Sequence, residues 1–225
     1  MLNELLGFVV EHFNIPLYLI TLVISIKYYK KYYDTVLKFF PIIIAYTFFN
    51  ELLGYFIRYT DYAFFTENQI ANDLIYNLYS IIFFGFFYIV YYQSVSSQKT
   101  RVLMKWLAGL AFLSFVINAL FTDPLKVSLF YANSINSWIL VIFIVLYLKD
   151  KTDWKWEREK YNLMTWISIG LGTFYFFFPI LYLIGFLKYE IWQEYHLRMV
   201  LRMLIVLMNL LFCIGFIKSH RRAFG

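Results

Sequence analysis

Long apolar runs alternate along the chain with short polar connections. A hydrocarbon layer about 30 Å thick takes roughly 20 mostly apolar residues in a helix. Seven stretches meet that length: Ile15–Tyr32, Leu37–Ile57, Asp73–Tyr92, Val102–Phe121, Phe130–Leu148, Leu163–Phe186 and Leu197–Ile217. The pattern predicts an all-α, polytopic membrane protein, a seven-transmembrane-helix bundle built as a single domain over residues 1–225. The first span is the least clean, because Lys27 and Lys30 must snorkel to a membrane face. Asn14 suits its cap, and Pro16 fits its first turn. Pro41 and Pro179 fall inside the second and sixth spans, where each is expected to kink or loosen the helix. The sixth, with Gly170 and Gly172 as well, is the expected moving element.

The polar residues inside these spans keep helical spacing and gather near one membrane face. Thr47, Glu51, Gly54 and Arg58 form one stripe, with Asn50 beside Glu51. Asp73, Asn77 and Ser80 form another. Ser114 and Asn118 lie four apart, and Asn133, Asn136 and Ser137 open the fifth span. Glu194, Arg198 and Arg202 are spaced by four, with Asn209 two turns deeper. The opposite halves are plainer, rich in Ile, Leu, Phe and Tyr.

Charge adds an orientation. The segments Lys27–Lys38, Lys99–Lys105, Lys149–Lys160 and Lys218–Arg222 hold 15 of the 20 Lys and Arg residues, while 9 of the 14 acids lie at the other ends. The positive-inside rule places the basic ends in the cytoplasm, the N-terminus outside and the C-terminus inside. That outcome needs an odd number of spans. Met1–Gly7 carries no Lys or Arg, so it does not read as a secretory leader. The expected location is the cell membrane (inner or plasma), with multiple passes. The absence of any Asn-x-Ser/Thr sequon fits a bacterial membrane.

Composition excludes the soluble alternatives. Apolar types make up 62% of the chain, aromatics 24% and charged residues only 15%, against about 25% charged in a soluble domain. The single Cys213 allows no internal disulfide. The net charge of +6 is spread over membrane-face segments, and no nucleic-acid partner is expected. No connection is long enough for a soluble effector domain. Any signal must therefore leave through the bundle or a separate cytoplasmic or membrane partner. The charged stretch around Trp154 and Trp156 reads as an interfacial anchor.

Ionisable residues within spans need pairing or hydration. The expectation is an outward-facing polar cavity whose ligand-binding residues are Glu51, Arg198, Arg202, Asp73, Asn77, Asn118, Asn50 and Asn136. Two Arg residues would offer charge-assisted hydrogen bonds to a small polar or anionic solute, or to the headgroup of membrane lipid. The competing structural reading makes Glu51 and Arg202 an ion pair, and Asn77 and Asn118 interhelical glue. No cofactor is expected, since a retinal Schiff base needs a mid-span Lys in the seventh helix and none is there. No metal is expected either; His12 and His196, with Glu11, form the remaining alternative. The leading function is a sensory or ligand-binding membrane protein that signals through a separate partner. The alternatives are an enzyme on outer-leaflet lipid (Glu51 or Asp73 as base, His196 as acid), a transporter, or a structural subunit of a complex.

Overall fold

The computed structural model describes residues 13–59, 72–151 and 156–220. Its helices are α1 (Asn14–Lys27), α2 (Phe40–Tyr59), α3 (Asn72–Ser94), α4 (Gln98–Phe121), α5 (Phe130–Asp150), α6 (Trp156–Glu159), α7 (Leu163–Leu187), α8 (Tyr189–Glu194) and α9 (Leu197–Lys218), with a 3₁₀ turn at Tyr29–Lys31. Among the described residues, α2, α3, α4, α5, α7 and α9 are long and apolar enough to cross a membrane. The chain is an all-α, multi-span membrane protein. At 14 residues, α1 is about 21 Å long at 1.5 Å per residue, short of the hydrocarbon thickness. The expected first span is cut back because the chain turns at Tyr29–Lys31 and continues in turns to Phe39.

Local chemistry sets the helix ends. The Ser97 hydroxyl accepts the Thr100 N–H at the start of α4, and Asn162 accepts the Met164 N–H at the start of α7. Pro41 is the second residue of α2, in the first turn, where its missing N–H breaks no helical bond. It is therefore a helix starter, which corrects the expectation of a mid-span kink. Pro179 does lie inside α7, and the helix runs on through it.

The helices that touch define a ring: α1 packs on α2, α2 on α3, α3 on α5, α5 on α7, α7 on α9, and α9 back on α1. Helix α4 stands outside, against α5 and α3. Met104, Ala111 and Phe115 face the ring, while the other side of α4 is apolar and outward, with Trp106 75% and Phe121 83% exposed, a surface suited to lipid tails. The ring closes through polar side chains: Thr21 of α1 donates to Asn209 Oδ1 of α9 at 3.1 Å, and Cys213 lies beside the same hydroxyl.

Hydrogen bonds also show which segments share an end. Lys31 donates to the carbonyls of Phe216 and Ile217, His220 N–H to Tyr161 O, and the Asp150 carboxylate accepts from the N–H groups of Ser96 and Ser97. The described parts of the four basic segments thus meet at one end. At the opposite end, Asn77 organises the connection between α4 and α5. Its amide donates to Pro124 O and Val127 O at 2.9 and 3.0 Å, and its oxygen accepts from Leu129 N–H at 2.9 Å.

Asn118 and Asn136 bind helices in the same way. Asn118 Oδ1 accepts from Ala132 N–H, and its amide donates to Thr122. The Asn136 amide donates to Ala132 O, Ser114 Oγ and Ala111 O, while its oxygen accepts from the Tyr88 hydroxyl. Removing such a group strands buried backbone partners. Asn77→Ala is expected to destabilise the protein by about 1–3 kcal/mol, read as a lower thermal midpoint in detergent with the helical content retained.

Candidate functional site

The ring encloses a cavity of about 280 Å³. Every ring helix contributes to its wall and α4 contributes nothing. Helical periodicity explains which residues face it: Ile43, Ile44, Thr47 and Glu51 recur along α2, Phe174, Tyr175, Phe178 and Tyr182 along α7, and Leu201, Ile205, Met208 and Phe212 along α9. Tyr18 enters from α1, Tyr76, Tyr79, Ser80, Phe83 and Phe84 from α3, and Asn133 from α5.

The floor toward the basic end is aromatic. Phe40 packs edge-on against Phe212 and Phe87, at ring separations of 5.4 and 5.8 Å, and lies tilted against Phe216 at 5.7 Å. Phe40, Phe87 and Phe216 are almost completely buried. Toward the opposite end, Ser128 shares a hydrogen bond with the Tyr182 hydroxyl at 3.1 Å, and Tyr182 stacks on Phe130 and Phe178. Rings continue along one side as Tyr79–Phe83–Tyr175, separated by 5.4 and 5.6 Å.

Two hydroxyl protons of the wall are committed to helix carbonyls. The Thr47 hydroxyl donates to Ile43 O at 2.8 Å, so in its 3.0 Å contact with Tyr79 the tyrosine is the donor. Ser80 donates to Tyr76 O. Asn133 is buried, and its Oδ1 has no hydrogen-bond partner. Glu51 lies within electrostatic reach of Tyr18 and Tyr79, and no described donor or cation is bonded to its carboxylate. Among the described residues, no Lys, Arg or His lines the cavity.

Of the expected site residues, Glu51 is the one on this wall. Asn77, Asn118 and Asn136 spend their hydrogen-bonding groups on helices and connections, as described above. Asn50 is buried with its Oδ1 unpaired but does not line the cavity. Asp73 is half-buried in the first turn of α3. Arg198 is exposed in the first turn of α9, and Arg202 is half-buried one turn on. Arg202 is bonded, but neither Arg lines the cavity. The pairing of Arg202 with Glu51 is thus not formed. Leu201, Ile205, Met208, Asn209 and Phe212 are the α9 positions that turn inward, and Arg202 is not among them. His196 is exposed in a left-handed backbone conformation with φ 48° between α8 and α9. His12 and Glu11, the Arg58 side chain and Trp154 lie outside the described residues. Among the described residues, no group of three His, Cys, Asp or Glu side chains converges.

Sequence reasoning passed over Glu159. It closes α6 in the charged connection, yet it is only 3% exposed. Its carboxylate accepts from Lys151 Nζ at 2.6 Å, Thr165 Oγ1 at 2.9 Å and Asn162 Nδ2 at 3.2 Å. The available signal was the spacing Glu159, Asn162, Thr165 around a helix cap, which puts all three at one helix start. This cluster lines a second, polar cavity of about 610 Å³ at the basic end, with Asp34, Gln93, Asp150 and Arg158.

No family model matches the chain, and no curated protein or solved structure is significantly similar to it. Function therefore has to be argued from the site.

Burial alone pushes the Glu159 carboxyl up, but the hydrogen bonds from Lys151, Thr165 and Asn162 and the Lys151 charge more than reverse it, leaving it below its ordinary value of 4.5. A carboxylate depressed in the folded state stabilises the fold above the unfolded value and loses that contribution as pH falls through the folded one. Melting midpoints measured against pH should fall below about pH 4.5, and Glu159→Gln should flatten that fall while lowering the midpoint at pH 7.

Proposed function

We propose that the protein is a non-catalytic membrane receptor of sensory type, in which the ring cavity holds a small polar solute. The observation that carries this reading is a partly open cavity, walled by every ring helix, with the Glu51 carboxylate on a largely aromatic lining. Buried polar atoms without partners are expensive in a membrane interior, and a ligand supplying their partners removes that cost. Aromatic rings with a few convergent polar groups are the usual make-up of a small-molecule pocket.

In this reading the chain spans the membrane seven times, with α1 as the first span, the N-terminus outside and the C-terminus in the cytoplasm. The charge asymmetry between the two ends supports that orientation. The solute enters from the extracytoplasmic end. There Arg198, Arg202 and Asp73 set the field at the mouth and contact lipid headgroups. Glu51 and Asn133 hold the solute.

The route to the cytoplasm is a chain of ring contacts. Phe212 of the floor touches Phe40, Phe40 touches Phe216, and Lys31 holds the Phe216 and Ile217 carbonyls. Occupancy that shifts α7 or α9 moves the basic end, where a separate partner reads it. A binding-driven shift needs different ligand contacts in the two states, and the Pro179-containing α7 is the element proposed to supply them.

Two measurements test this. Native mass spectrometry of the purified full chain should retain a small molecule that Ser80→Phe, which fills the cavity, removes without loss of the thermal transition. A bound lipid tail in its place would defeat the reading. In a Cys213→Ser background, a membrane-impermeant maleimide applied to intact cells should label Lys126→Cys and leave Lys99→Cys unlabelled until the cells are opened.

A further inference from the structure

We propose that the solute is a small organic cation: an ammonium group carried on a compact apolar or aromatic body. This rests on the reading of the ring cavity as a ligand site and goes on to name its chemical class.

Three independent features of the wall point to positive charge. The first is formal charge. Glu51 is the acidic side chain on the wall, and none of the described residues lining it is basic. An ionised carboxylate in a membrane interior is costly unless it is paired. A cation brought by the ligand provides that partner.

The second feature is the direction of the hydrogen bonds. The hydroxyl protons of Thr47, Ser80 and Tyr79 are committed to Ile43 O, Tyr76 O and Thr47 Oγ1. Their free valences are lone pairs, while the Asn133 Oδ1 is buried without a partner and its amide keeps N–H groups to donate. The Tyr18 and Tyr175 hydroxyls carry no described hydrogen bond and can turn to either role. The Thr47 and Ser80 lone pairs and the Glu51 carboxylate can each take a donor, and an ammonium offers up to three.

The third feature is the aromatic lining. Tyr79, Phe83, Tyr175, Phe178 and Tyr182 present rings in one continuous wall, with neighbouring centroids 5.1–6.1 Å apart. A cation within about 6 Å of such a ring centroid is attracted by its electron-rich face, most strongly where water is excluded. An anionic solute meets a carboxylate and ring faces. The volume of about 280 Å³ lies at the small end of ligand pockets, which run from roughly 300 to 1,000 Å³. That suits a molecule with a single ring.

The test uses the full-length protein in detergent and four probes of similar shape: 2-phenylethylamine, benzyltrimethylammonium, the neutral 2-phenylethanol and the anionic phenylacetate. Binding is measured calorimetrically at pH 7 and cross-checked by thermal shift. Both cations should bind at least tenfold more tightly than the alcohol, and phenylacetate should not compete with them. Glu51→Gln should bring the cations down to the affinity of the alcohol, and Glu51→Asp should restore part of the preference. Ser80→Phe should block every probe, which places them in the ring cavity.

Equal binding of amine and alcohol to the unaltered protein, or tighter binding of phenylacetate, overturns the cation assignment and leaves the ligand cavity standing. Failure of all four probes to bind overturns both. Should Glu51→Gln not fold, the amine-to-alcohol ratio of the unaltered protein decides alone.

Discussion

A membrane interior supplies no water to a polar atom, and this constraint organises the molecule. Every carbonyl, amide and hydroxyl between the two faces needs a partner from the protein itself. The asparagines show how the chain meets the demand. Asn77 serves three backbone groups of one connection, Asn118 ties the end of α4 to the start of α5, and Asn136 joins α3, α4 and α5 through one amide. These are directional contacts that fix how one helix sits against another, where apolar side chains alone would tolerate sliding against each other and against lipid.

The same constraint gives meaning to the atoms that remain unserved. Around the ring cavity, the Thr47 and Ser80 hydroxyls each satisfy a neighbouring carbonyl, yet Asn133 Oδ1 and the Glu51 carboxylate are left without a described partner. The floor beneath them is sealed by phenylalanine rings. Asn14 Oδ1, Asn50 Oδ1 and Ser134 Oγ are likewise buried without a partner, so what sets the cavity apart is the Glu51 carboxylate on a largely aromatic wall.

The basic end is built on a different principle. Glu159, Lys151, Asn162 and Thr165 form a compact charged and hydrogen-bonded cluster at the start of α7, and Asp150 caps the neighbouring turn before α4. Breaking one member leaves the others buried with unmet partners, so the cluster acts as a unit. It holds the connection before α7 in place beside the C-terminal residues that Tyr161 and Lys31 also grip. The end that carries most of the positive charge is thus a bound-together surface rather than a set of independent loops.

Apolar run length, together with the charge of the connections, was enough to define a helical membrane protein and to separate its two ends. Both follow from transfer of side chains out of water, a property each segment has by itself. Spacing by three and four residues also located the polar stripes, with Glu51 among them. What spacing leaves open is the rotation of each helix about its axis. That rotation turned Leu201 and Ile205 inward and left Arg202 off the cavity wall, placed α4 outside the ring, and made Asn77 and Asn136 braces. It also brought Glu159, from a stretch that reads as an exposed charged loop, into a buried cluster. Only packing decides these things, because a helix face has no inside until its neighbours are in position.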